Sequence, residues 1–114
     1  MSGPRRKSLA ARAAMFAALG DETRLSLLGK LGGAQERSIS ELTAGTDLTR
    51  QAVTKHLRVL ERVRIVHSRR EGRESLFAAD PGAIQELAKY LERVSTQWDA
   101  ALGRLKALVE GDGR

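Results

Sequence analysis

An apolar repeat in the last third of the chain limits the possible folds more than any other feature. Apolar side chains recur in alternating steps of three and four residues, at Ile84, Leu87, Leu91, Val94, Trp98, Ala101, Leu105 and Leu108. Residues three and four apart share one face of an α-helix, so the repeat predicts a long helix with a single apolar stripe. A stripe of about three and a half heptads is typical of a helix that packs against another helix. Asp80 and Pro81 mark its start, because Asp is a favoured N-cap and Pro suits the first helical position.

Four shorter helices are predicted before this long one. The first covers Leu9–Leu19, the second follows the N-cap Asp21 and ends at Gly32-Gly33, the third begins at Glu41 after an N-cap at Ser40, and the fourth runs from the N-cap Thr49 to about Arg62. In the first helix Leu9, Ala13, Phe16 and Leu19 have helical spacing. Ser38-Ile39 could form a brief strand before the third helix.

The fourth helix is predicted to have two different faces. Val53, Leu57 and Leu60 cluster on one side and predict a contact with the core. Gln51, Ala52, Thr54, Lys55 and Arg58 project on the other side, which therefore carries amide, hydroxyl and cationic groups. Such side chains form hydrogen bonds with base edges and phosphates. His56 lies at the edge of the apolar side, and its spacing is equally compatible with a half-buried packing role.

A β-hairpin is predicted after the fourth helix. Residues 65–70 are β-prone at their start, Glu71-Gly72 is a turn signal, and Glu74–Ala79 forms a second short apolar run. Arg69, Arg70 and Arg73 fall near the tip of the hairpin.

Positive charge is concentrated in the segment Thr49–Arg73. The segment contains eight Lys or Arg residues and two acids, and the difference of +6 equals the net charge of the whole protein. This concentration indicates a polyanionic partner, either nucleic acid or an anionic membrane surface. No apolar run is long enough to span a bilayer, so we expect no membrane partner and a cytoplasmic location.

The sequence offers little for catalysis. It contains no cysteine and only two histidines, with no His and carboxylate at short spacing. The Ser and Asp residues are explained by helix caps and turns. We therefore expect neither an enzyme nor a cofactor.

The order of elements predicts a winged helix-turn-helix, mainly α with a small β-hairpin (α+β). The sequence also resembles the ArsR/SmtB-type winged-helix repressors over roughly residues 9–110. The matching motifs are FAALGDETRLSLLGKL (16–31), SISEL (38–42), LTRQAVTKHLRVLE (48–61) and IVHSRREGRESLFAAD (65–80). Residues 1–7 are expected to be a disordered basic tail, and residues 8–110 a single DNA-binding and dimerisation domain.

The resemblance implies a homodimer that binds a pseudo-palindromic operator in double-stranded DNA. It places Thr49, Arg50, Gln51, Thr54, Lys55, His56 and Arg58 in the recognition helix (about 49–62), and Arg69, Arg70 and Arg73 in the wing (about 66–78). It implies dimerisation through the first and last helices, where we assign Phe16, Ile84, Leu87, Leu91, Val94, Trp98, Leu105 and Leu108.

Two departures from the family pattern stand out. Ser38 and Ser40 occupy the positions where metal-sensing members can carry Cys-x-Cys, and no histidine follows His67 to complete a zinc site. Neutral Ser is a poor ligand for soft metals, so we expect no metal site.

Arg64 occupies the position where the family commonly has Gly before the hairpin. If that position needs a positive φ, Arg64 costs on the order of 1 kcal/mol there. Either the turn differs here, or Arg64 compensates for this cost by reaching a phosphate.

Three functions stay open at this point. The first is a sequence-specific transcriptional repressor, and the second is an architectural DNA-binding protein that lacks sequence preference. The third, a protein-interaction module, is disfavoured by the basic wing. An effector is unknown: it could be a small apolar ligand near Trp98, Phe16 and Tyr90, or there could be none.

Overall fold

The computed structural model describes residues 8–33 and 35–111 and contains five helices and three strands in these ranges. In chain order they are α1 (Leu9–Leu19), α2 (Glu22–Lys30), β1 (Arg37–Ser38), α3 (Ile39–Thr43), α4 (Arg50–Arg62), β2 (Val66–Glu71), β3 (Glu74–Ala79) and α5 (Pro81–Gly111). The chain divides into two compact units, Met1–Ile84 and Gln85–Arg114. The tail predicted over residues 1–7 lies outside the described residues.

The predicted helix starts agree with the structure at four of five positions. The side chains of Asp21 and Thr49 accept hydrogen bonds from backbone N–H groups of α2 and α4, and Asp80 accepts one from Ala83 at the start of α5. Each cap satisfies a backbone donor that has no partner inside its own helix. Helix α1 begins at the predicted residue, after Ser8 as N-cap.

The predicted start of the third helix was wrong. Helix α3 begins at Ile39, not Glu41, and its N-cap is Ser38, not Ser40. The Ser38 hydroxyl accepts a hydrogen bond from the Glu41 N–H at 3.1 Å, and the Glu41 carboxylate accepts one from the Ser38 N–H at 2.8 Å. This capping box satisfies two backbone donors at once, which outweighs the single bond that Ser40 could offer.

The strands form one antiparallel sheet in the order β1-β3-β2. The hairpin prediction is confirmed: Val66 pairs with Ala79, and the pairing continues to Glu71 and Glu74 beside the turn at Gly72. The brief strand expected at Ser38-Ile39 forms one residue earlier, at Arg37–Ser38, because Ile39 already belongs to α3. It pairs with β3 through Arg37 and Phe77.

The core of the first unit is mainly aliphatic. Its fully buried large side chains are Met15, Leu27, Leu31, Leu42, Val53, Leu57, Leu60, Ile65, Val66 and Phe77. They include all three residues predicted for the inner face of α4. Removing such side chains from water stabilises a fold by roughly 1.5–3 kcal/mol each.

The buried residues of α1 differ from those whose spacing predicted the helix. Met15 and Ala18 are the buried residues of this helix, whereas Leu9 is 67% exposed and Ala13 is also exposed. Alanine occurs all around α1, so the apolar pattern alone could not determine which face turns toward the core.

Helix α5 is a single helix of 31 residues, as the apolar repeat predicted. Within the second unit Leu87 is 4% exposed, but the stripe beyond it faces solvent: Leu91, Trp98, Leu105 and Leu108 are 53–64% exposed. Helices α3 and α4 form a helix-turn-helix pair, and the β2–β3 hairpin follows α4, so the fold is a winged helix-turn-helix. No helix in the described ranges is long and apolar enough to cross a membrane.

Candidate nucleic-acid interface

The outer face of α4 carries the polar side chains that the sequence assigned to it. Arg50, Gln51 and Lys55 are exposed and Thr54 is half-buried. Together with Ile39 of α3 they line an open groove of about 360 Å³. Thr54 also donates its hydroxyl to the Arg50 carbonyl at 2.7 Å. The predicted N-cap Thr49 is exposed at the start of the same helix.

Arg58 lies at the junction between α4 and β2. Its Nη1 donates to Glu61 Oε1 at 2.7 Å and to the Ser68 hydroxyl at 3.2 Å, and its guanidinium lies 5.2 Å from the centre of the Phe77 ring. Ser68 in turn donates to the other oxygen of Glu61. The hydrogen bond from Ser68, followed by the one from Arg58, lowers the pKa of Glu61. Arg58 therefore joins α4 to the β2–β3 hairpin.

His56 points toward the corner between α1 and α2. Its Nδ1 lies 3.2 Å from Arg24 Nη1 and 3.9 Å from Asp21 Oδ2, and 27% of its side chain is exposed. Arg24 also donates Nε to the Ala18 carbonyl at 2.5 Å, near the end of α1. The structure thus places His56 on the side of α4 that faces α2, away from the groove.

The three wing arginines differ in their surroundings. Arg69 donates two hydrogen bonds to Glu36, at 2.6 and 2.7 Å, and lies 3.6 Å from Glu71. Arg70 and Arg73 are exposed. The hydrogen bond from Arg69 lowers the pKa of Glu36, and the same contact raises the pKa of Arg69. Sequence reasoning missed Glu36, because 33 residues separate it from its partner.

Arg64 adopts the left-handed conformation, with φ 66°. The Ile65 N–H donates to the Leu60 carbonyl at 3.0 Å, and the Arg64 N–H donates to the Glu61 carbonyl at 2.9 Å. These two bonds form a Schellman motif, which closes the C-terminus of α4 and places its positive-φ residue at position 64. The turn is therefore the one that favours Gly, and the alternative of a different turn is excluded.

A second contact ties the wing to the start of α5. His67 Nε2 lies 2.7 Å from Asp80 Oδ2, and the Asp80 N–H donates to the Ile65 carbonyl at 2.8 Å. The hydrogen bond with His67, together with that from the Ala83 N–H, lowers the pKa of Asp80.

Within residues 8–33 and 35–111, no group of three His, Cys, Asp or Glu side chains is arranged to hold a metal ion.

The residues assigned to a dimer interface have unequal exposure. Phe16, Ile84 and Val94 are half-buried and Leu87 is buried. The remaining four form an exposed apolar stripe on α5, which contains Leu91, Trp98, Leu105 and Leu108. Leu102 and Val109 are also more than half exposed, and sequence analysis did not assign them.

Comparisons with known proteins agree with this arrangement. Residues 19–69 match a family model described as a helix-turn-helix domain. The chain is 37% identical over 82 residues to the uncharacterised HTH-type transcriptional regulator YuzN of Bacillus subtilis, covering 67% of this chain and 89% of that protein. It is 30% identical to the HTH-type transcriptional regulator Rv2034 of Mycobacterium tuberculosis, covering 84% of this chain and 86% of that protein.

A solved structure extends the comparison to the fold. The ArsR-like transcriptional regulator from Rhodococcus sp. RHA1 superimposes with a TM-score of 0.74 at 37% identity, covering 87% of this chain and 92% of that one. The chain therefore belongs to the ArsR-type helix-turn-helix transcriptional regulators.

Proposed function

We propose that this protein is a homodimeric, sequence-specific transcriptional repressor that binds a pseudo-palindromic operator. The observation that carries the proposal is the groove on α4, where Arg50, Gln51, Thr54 and Lys55 share one solvent-facing surface. Arg and Lys can contact phosphates or guanine, Gln can pair with adenine, and Thr can bond to either. Residues 8–110 would form the DNA-binding and dimerisation domain.

The exposed stripe on α5 supports the homodimer. Four large apolar side chains, Leu91, Trp98, Leu105 and Leu108, are more than half exposed on one face of the helix. Covering such a face removes apolar area from water, which stabilises an interface by roughly 25 cal/mol per Å². A second copy of the same helix offers a matching face, and two recognition helices at a fixed distance would then read two half-sites.

A metal-independent mechanism fits the side chains at the family's metal positions. Ser38 is 6% exposed, and its hydroxyl is used in the capping box of α3, so it already has a structural role. Soft metals prefer thiolate ligands, which this chain does not contain. We therefore propose that the protein acts without a bound metal or cofactor and catalyses no reaction. A cytoplasmic location stays a prediction.

The decisive experiment is selection of binding sites from a random 30-bp duplex library by the wild-type protein. We expect an inverted repeat, bound about a thousandfold or more tightly than unrelated duplex at physiological salt. Placing the selected repeat across a promoter should then lower transcription in vitro. Equal affinity for all duplexes would instead support the architectural alternative, and stimulated transcription would contradict repression.

Variants of the groove sharpen that experiment. Lys55→Ala should weaken binding and reduce the salt slope by about 0.9 for each phosphate that the lysine neutralises in the wild-type complex. Gln51→Ala should reduce discrimination between the selected repeat and single-base variants by roughly 1–3 kcal/mol if Gln51 reads a base. Lys89→Ala, an exposed cation on α5, is the control and should bind like wild type. Unchanged binding by both groove variants would contradict the assignment of this face.

A further inference from the structure

Two of the wing arginines, Arg69 and Arg70, lie on opposite faces of the sheet. Ser68 is opposite Phe77 and Arg70 is opposite Ser75 in the β2–β3 register, whereas Arg69 is opposite Leu76. Successive side chains of a strand point to opposite faces. Phe77 is fully buried, and Ser68 contacts Glu61 and Arg58 of α4. Arg70 therefore lies on the face of the sheet that adjoins the recognition helix α4. Arg69 lies on the opposite face, which we call the outer face.

On the outer face Arg69 is already engaged by carboxylates. Its Nε and Nη2 donate to the two oxygens of Glu36 at 2.6 and 2.7 Å, the parallel geometry of a bidentate Arg–carboxylate pair. Glu71 adds a second carboxylate at 3.6 Å. Glu36 lies immediately before β1, and β1 is separated from β2 by β3 in the sheet. The pair therefore spans the outer face of the sheet and links the wing to the segment before β1.

Arg70 and Arg73 have no carboxylate partner among the described residues. Both are exposed, and neither has an ion pair with another residue in the part of the chain that the structure describes. Arg73 follows Gly72 in the turn at the tip of the hairpin, and Arg70 lies one residue before Glu71 on the face shared with Ser68. Both guanidinium groups can thus contact a polyanion without breaking an existing ion pair.

We propose that Arg69 is a positioning residue that fixes the wing through Glu36, and that Arg70 and Arg73 are the wing residues that contact DNA phosphates. This inference rests on the proposed DNA-binding function and refines it. For Arg69 to reach a phosphate it would have to leave a bidentate carboxylate, and Glu36 and Glu71 would then bring negative charge toward the DNA. Fixing the hairpin before binding reduces the ordering that association requires.

The salt dependence of binding separates a phosphate contact from a positioning contact. The duplex selected by wild type is titrated with Arg69→Ala, Arg70→Ala and Arg73→Ala at several salt concentrations. Arg70→Ala and Arg73→Ala should each reduce the slope of log affinity against log salt by about 0.9 per engaged wing. Arg69→Ala should keep the wild-type slope and weaken binding by a similar factor at every salt concentration, on the order of threefold to tenfold.

A charge swap provides the matched control. Arg69→Glu alone should bind poorly, and the double variant Glu36→Arg with Arg69→Glu should recover affinity to within about threefold of wild type, because the ion pair is re-formed with its charges exchanged. Glu36→Gln should behave like Arg69→Ala. Tighter binding with a steeper salt slope in Glu36→Gln would overturn the inference, since it would mean that Glu36 withholds Arg69 from phosphate. Failure of the swap to recover affinity would overturn it too.

Failure of this inference can be told apart from failure of the proposed function. If wild type binds no duplex with salt-dependent affinity, the DNA-binding function itself is wrong. If wild type binds and Arg69→Ala reduces the slope as much as Arg70→Ala does, only the division of roles within the wing is wrong. Circular dichroism of each variant confirms that the compared proteins are folded.

Discussion

Arg24 of α2 contacts His56 of α4, with 3.2 Å between Nη1 and Nδ1. An arginine can only donate, so the imidazole Nδ1 accepts this hydrogen bond. The same guanidinium donates Nε to the Ala18 carbonyl, and the Arg24 N–H donates to the Asp21 carboxylate that caps α2. Three helices are thus joined at the motif LGDETR, and α4 is held by contacts on the side that faces α2.

We predict that Arg24→Ala destabilises the fold. The variant lacks hydrogen bonds from a charged donor in a partly buried site, which should lower the free energy of unfolding by about 1.5–3 kcal/mol. Urea denaturation measures the change, and a double-mutant cycle with His56→Ala isolates the interaction between the two side chains. The exposed Arg104 provides the control, since Arg104→Ala should change stability by less than about 0.5 kcal/mol. A zero coupling energy would show that the interaction contributes nothing.

Removing the left-handed arginine should stabilise the protein. Arg64→Gly relieves the cost of a side chain at φ 66°, and we expect a gain of about 0.5–1 kcal/mol in the free energy of unfolding. Val63→Gly is the matched control: Val63 has φ −95°, so glycine there gains no relief and should destabilise. Thermal unfolding of both variants tests the expectation. A decrease in stability of Arg64→Gly would indicate that the arginine side chain makes a compensating contact.

Asp80 should contribute to stability against acid. The hydrogen bond with His67 lowers the pKa of Asp80 in the folded state. A carboxyl with a lowered folded pKa stabilises above its unfolded pKa, and this contribution is lost as the pH falls through the folded value. Unfolding free energy should therefore decrease below about pH 4, and less steeply in Asp80→Asn, which retains a good N-cap.

His67→Gln tests the cause of that pH dependence. Because His67 is the main reason for the lowered pKa of Asp80, this variant should also show a shallower decrease. Urea midpoints measured between neutral and acidic pH provide the comparison. A wild-type slope in both variants would refute a role for the pair in acid stability.

The stripe on α5 should control the oligomeric state. Leu105→Glu places a charge in the proposed interface, where burial without a partner is unfavourable, and should weaken dimerisation at least about tenfold. Ala107→Glu places the same charge about 200° around the helix and should leave the dimer intact. Sedimentation equilibrium distinguishes the two results. Equal dimerisation of Leu105→Glu and wild type would contradict an interface at this stripe.

Most of the fold could be predicted from local patterns. Asp21, Thr49 and Asp80 identify helix starts because a capping side chain acts within three residues of itself. The apolar stripe identifies α5, and the turn at Glu71-Gly72 identifies the hairpin. The face of α1 could not be predicted, because Met15 and Ala18 are buried only by virtue of what packs against them.

The sequence by itself determined the order of elements, the basic segment Thr49–Arg73 and the polar face of α4, since these depend on residues close together in the chain. Only the tertiary structure decided which basic residues are engaged: Arg69 meets Glu36, Arg58 meets Glu61 and Ser68, and His56 meets Arg24. The physical reason is that an ion pair or hydrogen bond acts over a few ångströms. Its partner can be 33 residues away in the chain, so only the folded structure shows which charges remain available to a ligand.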